Sequence, residues 1–145
     1  MVGDTGTVFE TQQLPAEADV VAPDGSHVRI LLGLASGGLA HFELPAGATS
    51  VAVRHRTVEE IWFFLSGGGE MWRRSAEMER TDPVTGGTCI TIPLGTAFQF
   101  RAAGDEPLRA VAVTIPPWPG DGEAVRCDGP WMPTVREGPG LAGVD

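Results

Sequence analysis

The sequence predicts an all-β protein built as a sandwich or barrel. Short strand-like runs follow one another at close spacing, and glycine or proline punctuates nearly every gap between them. No segment carries an i, i+3, i+4, i+7 apolar stripe of helical length. At 145 residues the chain has the size of one ordinary domain, large enough for a core that needs no disulfide or metal staple.

Residues 1–22 are polar and irregular, with one alternating piece, Thr7–Val8–Phe9, as a candidate edge strand. After an Asp24–Gly25 turn, strands are expected at His27–Leu34, Leu39–Leu44, Ser50–His55, Ile61–Leu65, Glu70–Arg74, Thr88–Ile92, Ala97–Arg101 and Leu108–Ile115. The turns between them fall at Gly37–Gly38, Pro45–Ala46–Gly47, Gly67–Gly68–Gly69, Pro93–Leu94–Gly95 and Gly104–Asp105. From Pro116 the composition changes to Pro116–Pro117–Trp118–Pro119–Gly120, then Gly129–Pro130–Trp131 and Gly138–Pro139–Gly140. Proline at this density excludes a central strand. Trp118 and Trp131 are the expected apolar anchors of this tail, with disorder expected beyond about residue 137.

The formal charge is −9, from 19 acidic and 10 basic residues, and every basic residue is Arg. That balance repels phosphate backbones and anionic lipid, which argues against nucleic-acid and membrane-surface partners. Cys89 and Cys127 lack any ligand spacing and are expected as reduced thiols, Cys89 buried, in a cytoplasmic protein. No basic leader with an apolar stretch is visible, and no apolar run reaches the roughly 20 residues that cross a bilayer.

Two spaced motifs carry more. The first reads Gly47-x5-Val53-x-His55-x4-Glu60-x6-Gly67, and the second Gly87-x5-Pro93-x-Gly95-x2-Phe98-x3-Ala102. They resemble the cupin superfamily motifs, Gly-x5-His-x-His-x3–4-Glu-x6-Gly and Gly-x5-Pro-x-Gly-x2-His-x3-Asn. The resemblance implies a cupin-type double-stranded β-helix, a jelly-roll β-barrel, over residues 1–115, with motif one at 47–67 and motif two at 87–102. The Pro/Gly-rich tail, 116–145, would then pack on the barrel or on a partner subunit. Small cupins commonly pair through their sheets, so the resemblance also implies a homodimer.

In the family, two histidines, the glutamate and a third histidine hold one divalent metal inside the barrel. Here Val53 stands for the first histidine and Phe98 for the third. Strand alternation puts Val53 with His55 on one face and Glu60 with Trp62 and Phe64 on another, and by resemblance both faces point inward. Phe98 and Phe100 share a face in motif two. With Trp72, which competes with Met71 for the inward phase, these residues would line an aromatic cavity for a small, largely apolar organic substrate. A filled hydrophobic core is the competing expectation.

His55 and Glu60 are the candidate catalytic pair for acid–base proton transfer, of the kind used in cyclisation, dehydration or isomerisation. The bland alternative is a hydrogen-bonded pair that fixes two strands. No cofactor is favoured. His41 is a third candidate: if its strand turns Leu39, His41 and Glu43 inward, then His41, His55 and Glu60 form an open two-His-one-carboxylate set for a divalent metal, as in a metal-dependent oxygenase or lyase. A non-catalytic ligand-binding protein is the remaining alternative. Arg54, Arg56, Arg73, Arg74 and Arg101 are expected on an outer, solvated face paired with acidic residues.

Overall fold

The computed structural model describes residues 8–143, and within them every regular element is a strand. The strands are β1 (Val20–Val21), β2 (His27–Leu34), β3 (Gly37–Leu44), β4 (Val53–His55), β5 (Glu59–Ser66), β6 (Gly68–Arg74), β7 (Glu79–Thr85), β8 (Cys89–Ile92), β9 (Ala97–Ala102), β10 (Leu108–Ile115) and β11 (Ala124–Arg126). They form two antiparallel sheets, one ordered β1-β2-β3-β10-β5-β8 and the other β11-β4-β9-β6-β7. Consecutive strands repeatedly sit in opposite sheets. This is the jelly-roll barrel that the turn-rich pattern calls for.

Three of its corners share one construction. The amides of Ala48, Thr88 and Thr96 donate to the carbonyls of Pro45, Thr85 and Pro93 three residues earlier. The third residue of each turn is Gly47, Gly87 or Gly95, with φ of 74°, 96° and 81°. That backbone region strains any residue with a Cβ, so the motif glycines are demanded by the corners.

The alternation of each strand sorts its residues. On β5, Glu60, Trp62 and Phe64 are buried while Glu59, Ile61, Phe63 and Leu65 are exposed. Leu44, Val53, Trp62, Phe64, Met71, Phe98, Phe100 and Leu108 meet between the sheets as one core. Full burial of such side chains contributes about 1.5–3 kcal/mol each. The cluster is aromatic at its centre: Trp62 stacks on Phe42 at 4.9 Å and meets the edges of Phe98 at 6.0 Å and Phe100 at 5.2 Å.

Several expectations need correction. Met71, not Trp72, turns into the core, because Met71 is the register partner of core residue Phe100 and Trp72 that of Gln99. Trp72 packs on the other face of its sheet with Ala52 and Ala97, and its indole N–H donates to Glu79 at 2.9 Å. Cys89 is exposed, not buried. Thr7 lies outside the described residues, and Val8 and Phe9 are exposed chain outside any strand. Strand β7 carries Pro83 yet pairs fully with β6. It tolerates the proline because β7 is the sheet edge, where a missing N–H faces no partner.

The tail folds onto its own barrel. Strand β11 extends the second sheet beside β4, and the amide of Gly138 donates to the Pro23 carbonyl where disorder was expected. Gln99, fully buried, clamps this segment: its amide nitrogen donates to the carbonyls of Ser50 and Trp131, and its oxygen accepts from the Trp131 amide. Of the five arginines expected on the outer face, Arg101 is ion-paired with Glu70 at 2.6 Å and Arg73 with Asp82 at 2.6 Å. Arg101 also lies over the Trp131 ring, 4.1 Å from its centre.

Candidate functional site

One end of the barrel is not filled. A cavity of about 490 Å³ opens there, lined by Phe42, Val53, Trp62 and Phe98 from the barrel strands and by Pro117 and Trp118 from the tail. The other end is closed by Phe64, Phe100, Met71 and Leu108, all buried in the core. A cavity and a packed core thus share the barrel interior.

Four polar residues of the cavity come from separate places in the chain. His55 ends β4, which the pairing of β11 holds in place through Ala124. Glu60 lies on β5 opposite Thr114 of β10. Asp24 sits in the turn before β2. All four line the cavity. Glu60 accepts one hydrogen bond on each oxygen, from the Trp62 indole N–H at 2.9 Å and the Thr114 hydroxyl at 2.8 Å. The Asp24 Oδ1 accepts both the amide and the hydroxyl of Ser26, at 2.9 and 2.7 Å.

His55 is held differently. Its ring meets the edges of Phe98 and Trp118, at 5.3 and 5.0 Å between ring centres. Its buried Nδ1 has no hydrogen-bond partner among the described residues. Glu60 Oε1 is 3.9 Å away, too far for a hydrogen bond. The pair expected from the motif is thus adjacent but not bonded.

Enclosure governs the protonation of these groups. Burial lowers His55 to about 4, against the opposing fields of Asp24 and Glu123, so the imidazole is neutral at neutral pH. Burial raises the Glu60 carboxyl, and the hydrogen bonds from Trp62 and Thr114 only partly offset this. Asp24 is raised by the same cause, against the bonds from Ser26. Glu123 behaves oppositely. Burial pushes it up, but bonds from the Thr57 amide and hydroxyl and the Val58 amide together outweigh this and hold it low.

Of the residues singled out in the sequence, the fold brings His55, Glu60, Val53, Trp62 and Phe98 to the cavity. Phe64 and Phe100 belong to the packed end, and Trp72 lies on an outer face. His41 is also turned away. Its strand neighbours Phe42 and Leu44 pack with the core, so alternation sends His41 to the opposite face, beside Arg29, Glu43 and Arg109. Asp24, Thr114 and Trp118 were not anticipated as site residues. Asp24 read as an ordinary turn aspartate, and only the tail position of Trp118 as an apolar anchor was visible.

The Cupin domain family matches residues 40–114 of the chain. An uncharacterized protein of Methanocaldococcus jannaschii is 31% identical over 114 residues, 72% of this chain and 88% of that protein. The chain is a cupin. Among solved structures, the barrel is similar to oxalate decarboxylase from Bacillus subtilis, with a TM-score of 0.60 at 20% identity, over 69% of this cupin and 28% of that chain. It is similar to KdgF from Halomonas sp., with a TM-score of 0.58 at 14% identity, over 69% of this cupin and 87% of that chain. A predicted oxalate decarboxylase from Thermotoga maritima gives 0.58 at 19% identity, over 68% of this cupin and 91% of that chain. At such identities the likeness is one of fold.

The cupin metal centre can be tested against the residues present. Val53 and Phe98, at two ligand positions, offer no donor atom. His41 faces away, and among the described residues no group of three His, Cys, Asp or Glu side chains converges to hold an ion. The donor set of this cupin does not fit the family metal site.

Proposed function

We propose that this cupin is a small-molecule enzyme that works by acid–base proton transfer in the open end of its barrel. One observation carries the reading. A buried carboxyl, Glu60, and a neutral imidazole with an unpartnered nitrogen, His55, face the same aromatic-lined cavity. Their environments shift the two groups in opposite directions, which separates their roles. Burial favours the protonated form of Glu60, the proton donor of this reading, and the neutral form of His55, whose Nδ1 carries no hydrogen bond among the described residues and is the acceptor. A base near 4 is weak, so protonation by Glu60 leads and proton removal by His55 follows at a position already acidified. Dehydration, isomerisation and acid-initiated cyclisation fit that order. Trp118 and Pro117 from the tail line the site, and the rest of its wall is largely apolar.

A second reading, a cupin that binds a ligand without turnover, is favoured by the two bonds that already hold the Glu60 oxygens. Glu60→Gln separates them. The amide keeps the shape and can still accept from Trp62 or Thr114, but exchanges no proton. With turnover of a panel of small organic molecules followed by mass spectrometry, activity should fall by about two to four orders of magnitude while folding persists. Full turnover in the variant means that the carboxyl only fixes strands. An absence of turnover in the parent supports the binding reading.

A further inference from the structure

The cavity holds two buried carboxyls and no basic side chain to balance them. Asp24 and Glu60 are 5% and 3% exposed, and neither Lys nor Arg is among the lining residues. All ten basic residues of the chain are Arg, and those with ion pairs among the described residues pair elsewhere in the fold. Buried carboxylates are costly without a cation opposite them. The one basic ring among the lining residues, His55, is 6% exposed, and its buried Nδ1 has no hydrogen-bond partner among the described residues.

We infer that the ligand of this site is an organic ammonium ion with an apolar body, its nitrogen held by the Asp24 carboxylate and its body packed against Trp62, Phe98 and Trp118. The inference rests on the cavity proposed above as the reaction site. Asp24 is the better partner because Ser26 uses only Oδ1, leaving Oδ2 without a hydrogen bond among the described residues. Glu60 already accepts on both oxygens. An ammonium group has donors only, which suits a site whose unused polar atom is an acceptor, Asp24 Oδ2. Aromatic rings around a cation add attraction of about 0.5–2 kcal/mol. Asp121 also lines the cavity and contributes the same sign of field. One cation for two carboxyls has a further effect. It offsets the charge of Asp24 and leaves one carboxyl, Glu60, without a cation opposite it. Carboxylate and phosphate ligands would meet repulsion here with no compensating charge.

Binding of 2-phenylethylamine, 2-phenylethanol and phenylacetate, read by quenching of tryptophan fluorescence at neutral pH, tests this. The amine should bind at least about tenfold more tightly than the alcohol, the size of one unshielded charge contact, and the acid more weakly than both. Asp24→Asn keeps the Ser26 acceptor and should bring the amine to the level of the alcohol. Should that variant fail to fold, carbon-13 carboxyl NMR of the parent reads the same point: the Asp24 resonance must lie at its ionised position in the amine complex. Equal or tighter binding of the alcohol or acid, no binding of any probe, an Asp24 resonance at its protonated position in the amine complex, or an amine preference that survives in Asp24→Asn would overturn the inference. Its failure is distinguishable from that of the catalytic reading. Amine preference without Glu60-dependent turnover removes only the enzyme, and Glu60-dependent turnover of a neutral or anionic molecule removes only the ammonium ligand.

Discussion

Val53 and Phe98 are direct register partners between β4 and β9, so the two positions that lack a metal donor lie side by side facing the cavity. His55 and Glu60 still hold the matching family positions. Val53→His with Phe98→His should therefore build a four-donor centre from an intact backbone. Elemental analysis should find near-stoichiometric divalent metal in the double variant and a substoichiometric amount in the parent. Equal metal content in the two proteins would contradict the inward phase of these side chains.

Stability should decline on the acid side because of His55. Its folded pKa is lowered from 6.5 to about 4, so the folded state binds the proton more weakly than the unfolded chain. The contribution is fully present above pH 6.5 and is lost as pH falls towards 4, in total roughly 3 kcal/mol. Glu60 and Asp24 have the opposite sign. Raised by burial, they favour the folded state at low pH, and that advantage is lost as pH rises from their ordinary values through the raised ones. Urea midpoints measured across pH should show a smaller acid-side fall in His55→Gln than in the parent. An unchanged slope would mean that the imidazole is solvated.

Gln99 should matter more than a buried glutamine usually does. Gln99→Ala strands the Ser50 and Trp131 carbonyls and the Trp131 amide at once, a loss of about 2–4 kcal/mol. Thermal unfolding should detect it, and limited proteolysis should cut first in the released tail. The same site forbids a side chain at Gly129, whose added Cβ would lie 2.2 Å from the Gln99 side-chain oxygen.

The homodimer expected from the resemblance can be sought on one face. Ile61, Phe63 and Leu65 project outward from β5 at 44–46% exposure, with Leu39 exposed on the same sheet. A contiguous exposed apolar surface of this kind commonly marks an interface. Sedimentation equilibrium should give twice the chain mass for the parent and the single chain mass for Phe63→Arg. A parent of single chain mass would leave this face unpartnered.

Much of the barrel was legible because corner glycines and strand alternation are local properties. The motif spacing placed Gly47, Gly67, Pro93 and Gly95 at turns, and the alternation of β5 gave Glu60, Trp62 and Phe64 their common face. The errors came where two faces competed. The inward phase of Leu39, His41 and Glu43 was only a condition of the metal alternative, and the apolar set Ala40, Phe42 and Leu44 is the one that turns inward. Met71 and Trp72 are both apolar, and a distant glutamate, Glu79, decided between them by taking the indole N–H. Strand β7 was hidden by charge and by Pro83, since a sequence does not announce which strand will be the edge. Asp24 and Trp118 escaped because their roles exist only after the two ends of the chain meet.

Asp24 and Trp118 lie outside the two motifs, on either side of them, yet line the same cavity. A nascent chain that has emerged only as far as β10 carries most of the barrel and no roofed pocket. Contacts between such distant segments form after the long intervening loop has closed, so recognition is among the last properties the chain acquires. Any molecule that fits the cavity will therefore bind the finished protein and none of its shorter precursors, and so will select the completed fold by mass action.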